Sequence, residues 1–250
     1  MSRVLCLDVG NTSTHWGVME ARSRVAGGEV PTAEADRALA AGLAVGGLDG
    51  ISLAAVVPEA GERLARSAAK AGPRLFVLRH DTVVGLGFDY PKPAEVGQDR
   101  IANCLGAQVV CGAPAIVVDM GTATTFDVLT ARGYAGGVIA PGLSVMTHYL
   151  HGRTALLPRL DPAELRAGPA LGKSTVEAMR AGCSIGFGGM IEAILAALVT
   201  ELTAQEGAPT LLSTGGTVDF LPPTVSVRLR HEPHLTLVGL AEGWRRSTVA

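Results

Sequence analysis

Two short stretches constrain this 250-residue chain more than anything else in it: Asp8-Val9-Gly10-Asn11-Thr12 and Asp119-Met120-Gly121-Thr122-Ala123, 111 positions apart. A short apolar run precedes each, Val4 to Leu7 and Ala115 to Val118, and a strand-like segment follows each, Thr14 to Met19 and Thr125 to Leu129. A buried strand that ends in Asp-x-Gly and turns at once into another strand makes a tight hairpin. Glycine lets the backbone come close to a ligand, and the N–H and hydroxyl groups around it can donate to phosphate oxygens. The aspartate is left at the mouth of the turn, where a hydrated divalent cation can sit. Either copy alone reads as an ordinary turn, because Asp, Asn, Gly and Thr are common turn residues. The matched pair suggests two related halves closing on one nucleotide, the signal of a phosphotransferase.

Competing phosphate-binding motifs are missing. No Gly-x4-Gly-Lys-Ser/Thr occurs, and the lysines are Lys70, Lys92 and Lys173. No Gly-x-Gly-x-x-Gly opens a helix near the first strand, which weighs against a dinucleotide-binding domain. The net charge of −2, without a basic block, gives a nucleic-acid partner little electrostatic support. The first residues meet Asp8 too early for a secretory signal, and apolar runs such as Ala193 to Val199 are too short to cross a bilayer. Cys6, Cys104, Cys111 and Cys183 have no Cys-x-x-Cys spacing and read as buried free thiols of a reducing, cytoplasmic compartment. His148/His151 and His231/His234 lack further ligands at usable spacing, so they read as satisfied or surface histidines rather than a zinc site.

Along the chain, strands are expected near Arg24 to Val30, Ile51 to Val57, Leu75 to Leu78 and Thr210 to Ser213. Helices are expected over Ala33 to Ala44, Glu59 to Ala71, from Asp99 through Val109, over Met190 to Thr203, and over Leu240 to Arg246. Ser174 with Glu177 three residues on reads as a capping box. Cys183 to Gly189 reads as a glycine-rich stretch between helical segments. The alternation implies an α/β fold. Asp99 stands at or just before a helix N-terminus, where aspartate is a favoured cap with no catalytic duty.

The surroundings of Asp99 add a second reading. Tyr90, Gly97-Gln98-Asp99-Arg100 and the second hairpin twenty residues after Asp99 resemble type III pantothenate kinases. The resemblance continues through Gly136-Gly137-Val138-Ile139-Ala140-Pro141-Gly142, Leu171-Gly172-Lys173-Ser174-Thr175, Ser213-Thr214-Gly215-Gly216 and the segment from Leu235 to Leu240. Gln98 stands where that family often has Ala, and His234 where it commonly has Asp or Asn after proline.

The resemblance implies two ribonuclease-H-like, actin-like ATPase domains, about 1–112 and 113–250, with the site in the cleft between them. It implies ATP-dependent phosphorylation of pantothenate to 4′-phosphopantothenate. Asp8, Val9, Gly10, Asn11, Thr12, Ser13, Thr14 and His15 would form the first ATP-phosphate loop, with Mg²⁺ held through water at Asp8. Thr122 would touch ATP phosphate, and Thr214, Gly215 and Gly216 would lie near adenosine. Tyr90, Gly97, Gln98, Asp99, Arg100 and Thr175 would contact pantothenate, with Asp99 as general base. Asp119 would ligate a monovalent cation, K⁺ or NH₄⁺, and the enzyme would be a cytoplasmic homodimer. Another small-molecule kinase of the actin and sugar kinase superfamily, or a non-catalytic nucleotide-binding regulator, would keep the hairpins without this acceptor.

Overall fold

The computed structural model describes residues 2–161, 165 and 168–249. It contains two five-stranded sheets built on one plan. The first is formed by β1 (Arg3–Val9), β2 (Ser13–Glu20), β3 (Ser23–Pro31), β4 (Gly50–Ala55) and β5 (Arg74–Val77), in the order β3-β2-β1-β4-β5. β1 and β2 pair antiparallel from Arg3↔Glu20 to Val9↔Thr14, and β1 pairs parallel with β4. The second is formed by β6 (Ala115–Met120), β7 (Ala123–Thr130), β8 (Gly133–Pro141), β9 (Thr210–Thr214) and β10 (Arg230–His231), in the order β10-β9-β6-β7-β8.

The unbroken apolar run of β1 follows from burial on both faces. Leu5, Leu7 and Val9 join a core with Ala35, Ala38 and Leu39 of α1 (Ala35–Ala44) and with Ala60, Leu64 and Ala68 of α2 (Pro58–Ala69). The even-numbered side chains face the other way. Ser52, register partner of Cys6, donates to Leu240 O at 2.8 Å, which puts the C-terminal helix α7 (Leu235–Val249) against that face. α7 also packs along α3 (Gln98–Val110). The two helices approach where Gly239 lies on α3, since a Cβ there would sit 1.8 Å from Ala102 O.

Compact packing divides the chain into two units that do not follow it in order. The first comprises Met1–Ala115, Asp127–Gly136 and His234–Ala250; the second comprises Ile116–Phe126 and Gly137–Pro233. The chain-order division at 112/113 therefore differs from the spatial one at the turn end of the β7–β8 hairpin and at α7, which packs on α3 and β1.

In the second unit, α4 (Leu143–Arg153) precedes one helix of 32 residues, α5 (Thr175–Glu206). The glycine-rich stretch at 183–189 lies inside α5 instead of separating two segments. Met179, Cys183, Phe187, Ile191 and Leu195 form a buried stripe at four-residue spacing through it, and this packing outweighs the low helix propensity of glycine. Among the described residues α5 alone is long and apolar enough to cross a membrane by length and composition, with 28% of its most apolar window buried. Apolar runs alone understate it, because small and uncharged residues extend the stretch beyond Ala193 to Val199. Ser174 caps α5, its side chain accepting from Glu177 N at 3.2 Å. A short helix, α6 (Pro223–Ser226), packs on α5.

The four cysteines are free, and burial pushes the Cys6 and Cys104 thiols up. His151 Nδ1 lies 2.9 Å from Leu157 O and His231 Nδ1 3.3 Å from Ser213 Oγ, so each has a hydrogen-bond partner.

Candidate active site

Both sequence hairpins are hairpins in the structure. In the first unit, Asp8 pairs with His15 and Val9 with Thr14, leaving Gly10, Asn11 and Thr12 as the turn. Gly10 N–H donates to Ser13 O at 3.0 Å, and Asn11 and Thr12 are exposed. The turn is braced by the residue that follows β3, which sequence reasoning missed. Thr32 N–H donates to Thr12 O at 3.0 Å, and its hydroxyl donates to Gly10 O at 2.7 Å. That hydroxyl lies 3.3 Å from Thr14 Oγ1, with both threonines buried.

In the second unit, Gly121 N–H donates to Ala123 O at 3.0 Å and Thr122 is exposed. Asp119, like Asp8, is half-buried at the end of its strand. The Thr214-Gly215-Gly216 turn leaves β9 and folds against this hairpin. Gly215 has φ +93°, and a Cβ on it would sit 2.6 Å from Met120 N and O. Thr217 clamps the same peptide, its N–H at 3.3 Å and its hydroxyl at 3.1 Å from Met120 O. Thr175 is the exposed first residue of α5, within this unit.

The remaining sequence-derived site residues gather in the first unit, at the N-terminus of α3. Gly97 precedes the helix, and a Cβ there would lie 2.5 Å from Asp99 Oδ1, so glycine leaves space for the carboxylate. Asp99 is the second helical residue, and Oδ1 accepts the Arg100 N–H at 2.8 Å. Gln98 turns the other way: its Oε1 accepts Ala55 N–H at 2.8 Å. Because Ala55 is the register partner of Val9, that bond holds the start of α3 at the same strand ends as the first hairpin.

The electrostatics of this corner are set by burial. Desolvation raises the Asp99 carboxyl above its ordinary value, opposed by the Arg100 N–H and the Arg100 charge. Arg100 Nε donates to Asp127 Oδ1 at 2.6 Å, and its guanidinium carbon lies 5.6 Å from the Tyr134 ring centre. Tyr90 meets Tyr134 edge-on, centroids 5.6 Å apart. The segment before Tyr90 is held to β8 by Asp89 N–H to Tyr134 O and Tyr134 N–H to Gly87 O, both 2.9 Å. Tyr134 and Asp127 were not found from the sequence. The signal for Asp127 was a charged residue among the apolar side chains Phe126, Val128 and Leu129; Tyr134 had none.

Carboxylate oxygens such as those of Asp8 and Asp119, at the mouths of exposed turns, are the donor type that Mg²⁺ and alkali cations take. Among the described residues no group of three or more His, Cys, Asp or Glu is placed to hold a metal by protein ligands alone. A cation at either carboxylate would complete its shell with water or phosphate oxygens.

Comparison with known proteins bears on the family and the fold. The family model described as Type III pantothenate kinase matches residues 4–197. A type III pantothenate kinase of Streptomyces avermitilis is 37% identical over 98% of this chain and 98% of its own. Among solved structures, a protein from Campylobacter jejuni described as a Baf family transcriptional activator superposes with TM-score 0.64 at 18% identity, covering 98% of this chain and 100% of that one. A ROK hexokinase from Thermus thermophilus superposes with TM-score 0.56 at 14% identity, covering 97% and 99%. These two likenesses bear on the fold, which is that of the actin-like and sugar kinase ATPases.

Proposed function

The chain belongs to the type III pantothenate kinase family, and from that premise we propose how its residues divide the reaction. The protein is an ATP-dependent kinase that phosphorylates pantothenate in coenzyme A biosynthesis, using a divalent metal. The observation that carries the residue assignment is the Gln98–Ala55 bond, which holds Asp99 and the first hairpin at the same strand ends of one unit.

Asp99 is the general base. The primary hydroxyl oxygen of pantothenate attacks the γ-phosphorus, a new P–O bond forms, the bond to the bridging oxygen of ATP breaks, and the hydroxyl proton passes to Asp99. Burial suits the carboxylate to this by raising its proton affinity. Phosphoryl transfer asks mainly for alignment and charge neutralisation. The exposed Asn11 and Thr12, with Ser13 beside them, offer amides and hydroxyls to one part of the triphosphate, and Thr122 offers a hydroxyl to another. Asp8 would hold Mg²⁺ through water, which supplies charge neutralisation at the phosphates. Thr214 to Gly216 face adenosine. Arg100, with Tyr90 and Thr175, binds the acceptor, the guanidinium meeting its carboxylate.

The test is ATP consumption with pantothenate, simple sugars, acetate and no acceptor. Turnover with pantothenate alone is expected; equal turnover with a sugar, or turnover without acceptor, overturns the assignment.

Two further parts of the reading rest on family resemblance and charge. Asp119 ligates K⁺ or NH₄⁺, relieving repulsion between carboxylates and triphosphate, so rates should rise steeply when K⁺ replaces Na⁺; equal rates refute it. The enzyme is a cytoplasmic homodimer, in keeping with the exposed Ile185 and small residues along α5. A one-chain mass in light scattering at micromolar concentration refutes the dimer.

A further inference from the structure

The roles assigned above leave a carboxylate in the middle of β7 unaccounted for. Asp127 is fully buried, and an isolated charge there would be strongly disfavoured. Burial pushes its carboxyl up to about 7 even with the Arg100 guanidinium beside it. Two hydrogen bonds hold it: Oδ1 accepts Arg100 Nε at 2.6 Å and Oδ2 accepts Asn103 Nδ2 at 3.3 Å. Asn103 is itself fully buried, and its Oδ1 accepts the Thr236 hydroxyl at 2.8 Å. The ionised carboxylate can only accept, so it sets which way the Asn103 amide faces, with the NH₂ toward Asp127 and Oδ1 left to accept the Thr236 hydroxyl.

The result is an ordered relay, Thr236 to Asn103 to Asp127 to Arg100, drawn from α7, α3 and β7 and lying wholly within the first unit. A buried ion pair is weak evidence for stability, since a well-packed apolar pair often does as well. Stability alone therefore gives no reason for a carboxylate at this position. Geometry does. With Nε held by Asp127 and the guanidinium carbon 5.6 Å from the Tyr134 ring centre, the Arg100 plane is fixed on an edge and on a face.

We propose that Asp127 is a positioning residue for acceptor recognition: it sets the plane in which Arg100 meets the acceptor carboxylate, and Asn103 and Thr236 hold it in register. This rests on the assignment of Arg100 to the acceptor carboxylate. A planar fork recognises a carboxylate only when the two planes align, so selection for an anionic acceptor depends on a side chain that does not itself touch the acceptor.

The experiment measures kcat and both KM values for the full-length enzyme and for Asp127→Asn, Arg100→Lys, Arg100→Gln and the double variant Arg100→Gln/Asp127→Asn. The acceptors are pantothenate and its analogue with the carboxylate reduced to a primary alcohol. Asp127→Asn should raise the pantothenate KM about tenfold, with kcat and the ATP KM changed less than about threefold. The KM of the alcohol analogue should barely move, and in the Arg100→Gln background Asp127→Asn should add nothing. The same KM increase in both backgrounds, or a joint loss of kcat, ATP affinity and Tm, would show a purely structural residue and overturn the proposal. If Arg100→Lys raises the pantothenate KM while Asp127→Asn does not, the proposal fails and the Arg100 assignment stands. If Arg100→Lys leaves it unchanged, the Arg100 assignment itself fails. Should Asp127→Asn not fold, Thr236→Val keeps the ion pair and removes only the far end of the relay. It should raise the pantothenate KM about threefold, and an unchanged value overturns the proposal.

Discussion

The two hairpins of this protein occupy equivalent places in equivalent sheets, yet their turns are secured by different residues. Each third strand ends in a proline, Pro31 or Pro141, and the next residue donates its N–H back to the turn: Thr32 to Thr12 O at 3.0 Å, Gly142 to Thr122 O at 3.1 Å. The backbone bond is common to both halves. The side chain differs because the turns differ in length, with three residues between β1 and β2 against two between β6 and β7. The shorter turn comes so close that a Cβ at 142 would sit 2.3 Å from Thr122 O, leaving only glycine. The longer turn leaves space for threonine, whose hydroxyl then reaches Gly10 O at 2.7 Å.

Beyond the hairpins the halves diverge further. β4 leads into a conventional helix with Pro58 in its first turn, whereas β9 folds back through Gly215 against Met120. The comparison teaches that a repeated strand plan dictates main-chain bonds, while one residue of loop length decides which side chains are possible.

The largest expected effect tests whether the first half carries the acceptor chemistry. Asp99→Asn preserves shape and first-turn hydrogen bonding but cannot take a proton, so kcat should fall about 100-fold or more while Tm and ATP affinity stay near wild type. Retained turnover would leave Asp99 with only its first-turn bond from the Arg100 N–H, Gly97 being the cap of α3. Next comes the second half. Gly215→Ala forces a side chain onto Met120 backbone at positive φ, which should cost about 1–3 kcal/mol of stability and raise the ATP KM about tenfold. A silent substitution there would remove the turn from nucleotide binding.

Thr32→Val probes the brace unique to the first half. Leaving Gly10 O without its hydroxyl donor should cost about 1 kcal/mol and raise the ATP KM a few-fold, with the pantothenate KM unchanged. An effect on pantothenate instead would mean the brace serves the acceptor end.

The smallest effect lies in the pH dependence of stability. Folded Asp127 titrates at about 7, raised by burial against the pull of Arg100, while an unfolded aspartate titrates near ~3.9. Between these values the folded chain keeps a proton that the unfolded chain has lost, so this group's contribution to stability falls as pH rises through the window. The Tm of wild type relative to Asp127→Asn should accordingly decline from about pH 4 to 7. A difference that stays level or grows contradicts a buried, proton-retaining carboxylate.

Much of this was legible because it is local. The apolar run of β1, doubly buried between α7 and the α1–α2 pair, announces itself, and the Asp-x-Gly turns mark where it ends. Asp99 at the start of α3 could be placed for the same reason. What stayed hidden depends on contacts far along the chain. Thr236 looks like any helical threonine until α7 brings it to Asn103, 133 residues earlier. Asp127 reads only as a charge in a strand until Arg100 is beside it. Helix α5 runs well beyond the Met190 to Thr203 expected from sequence, because the buried stripe from Met179 to Leu195 carries the helix through its glycines. Nor does any motif signal that residues 127–136 and 234–250 cluster with the first 115.

That clustering bears on how the protein is made. The first unit to begin emerging from the ribosome is also the last to be finished, because α7 is its final piece. At the usual pace of synthesis the stretch from 116 to 233 takes roughly ten seconds, during which the α7-facing side of β1 and β4 has no helix to cover it. A chain released early would have its first hairpin but neither Thr236 nor the packing of α7 on α3, and so would present an incomplete acceptor site on an exposed apolar face. A chain truncated before α7 should therefore be one that the cell's proteases recognise and remove, and not a weak kinase.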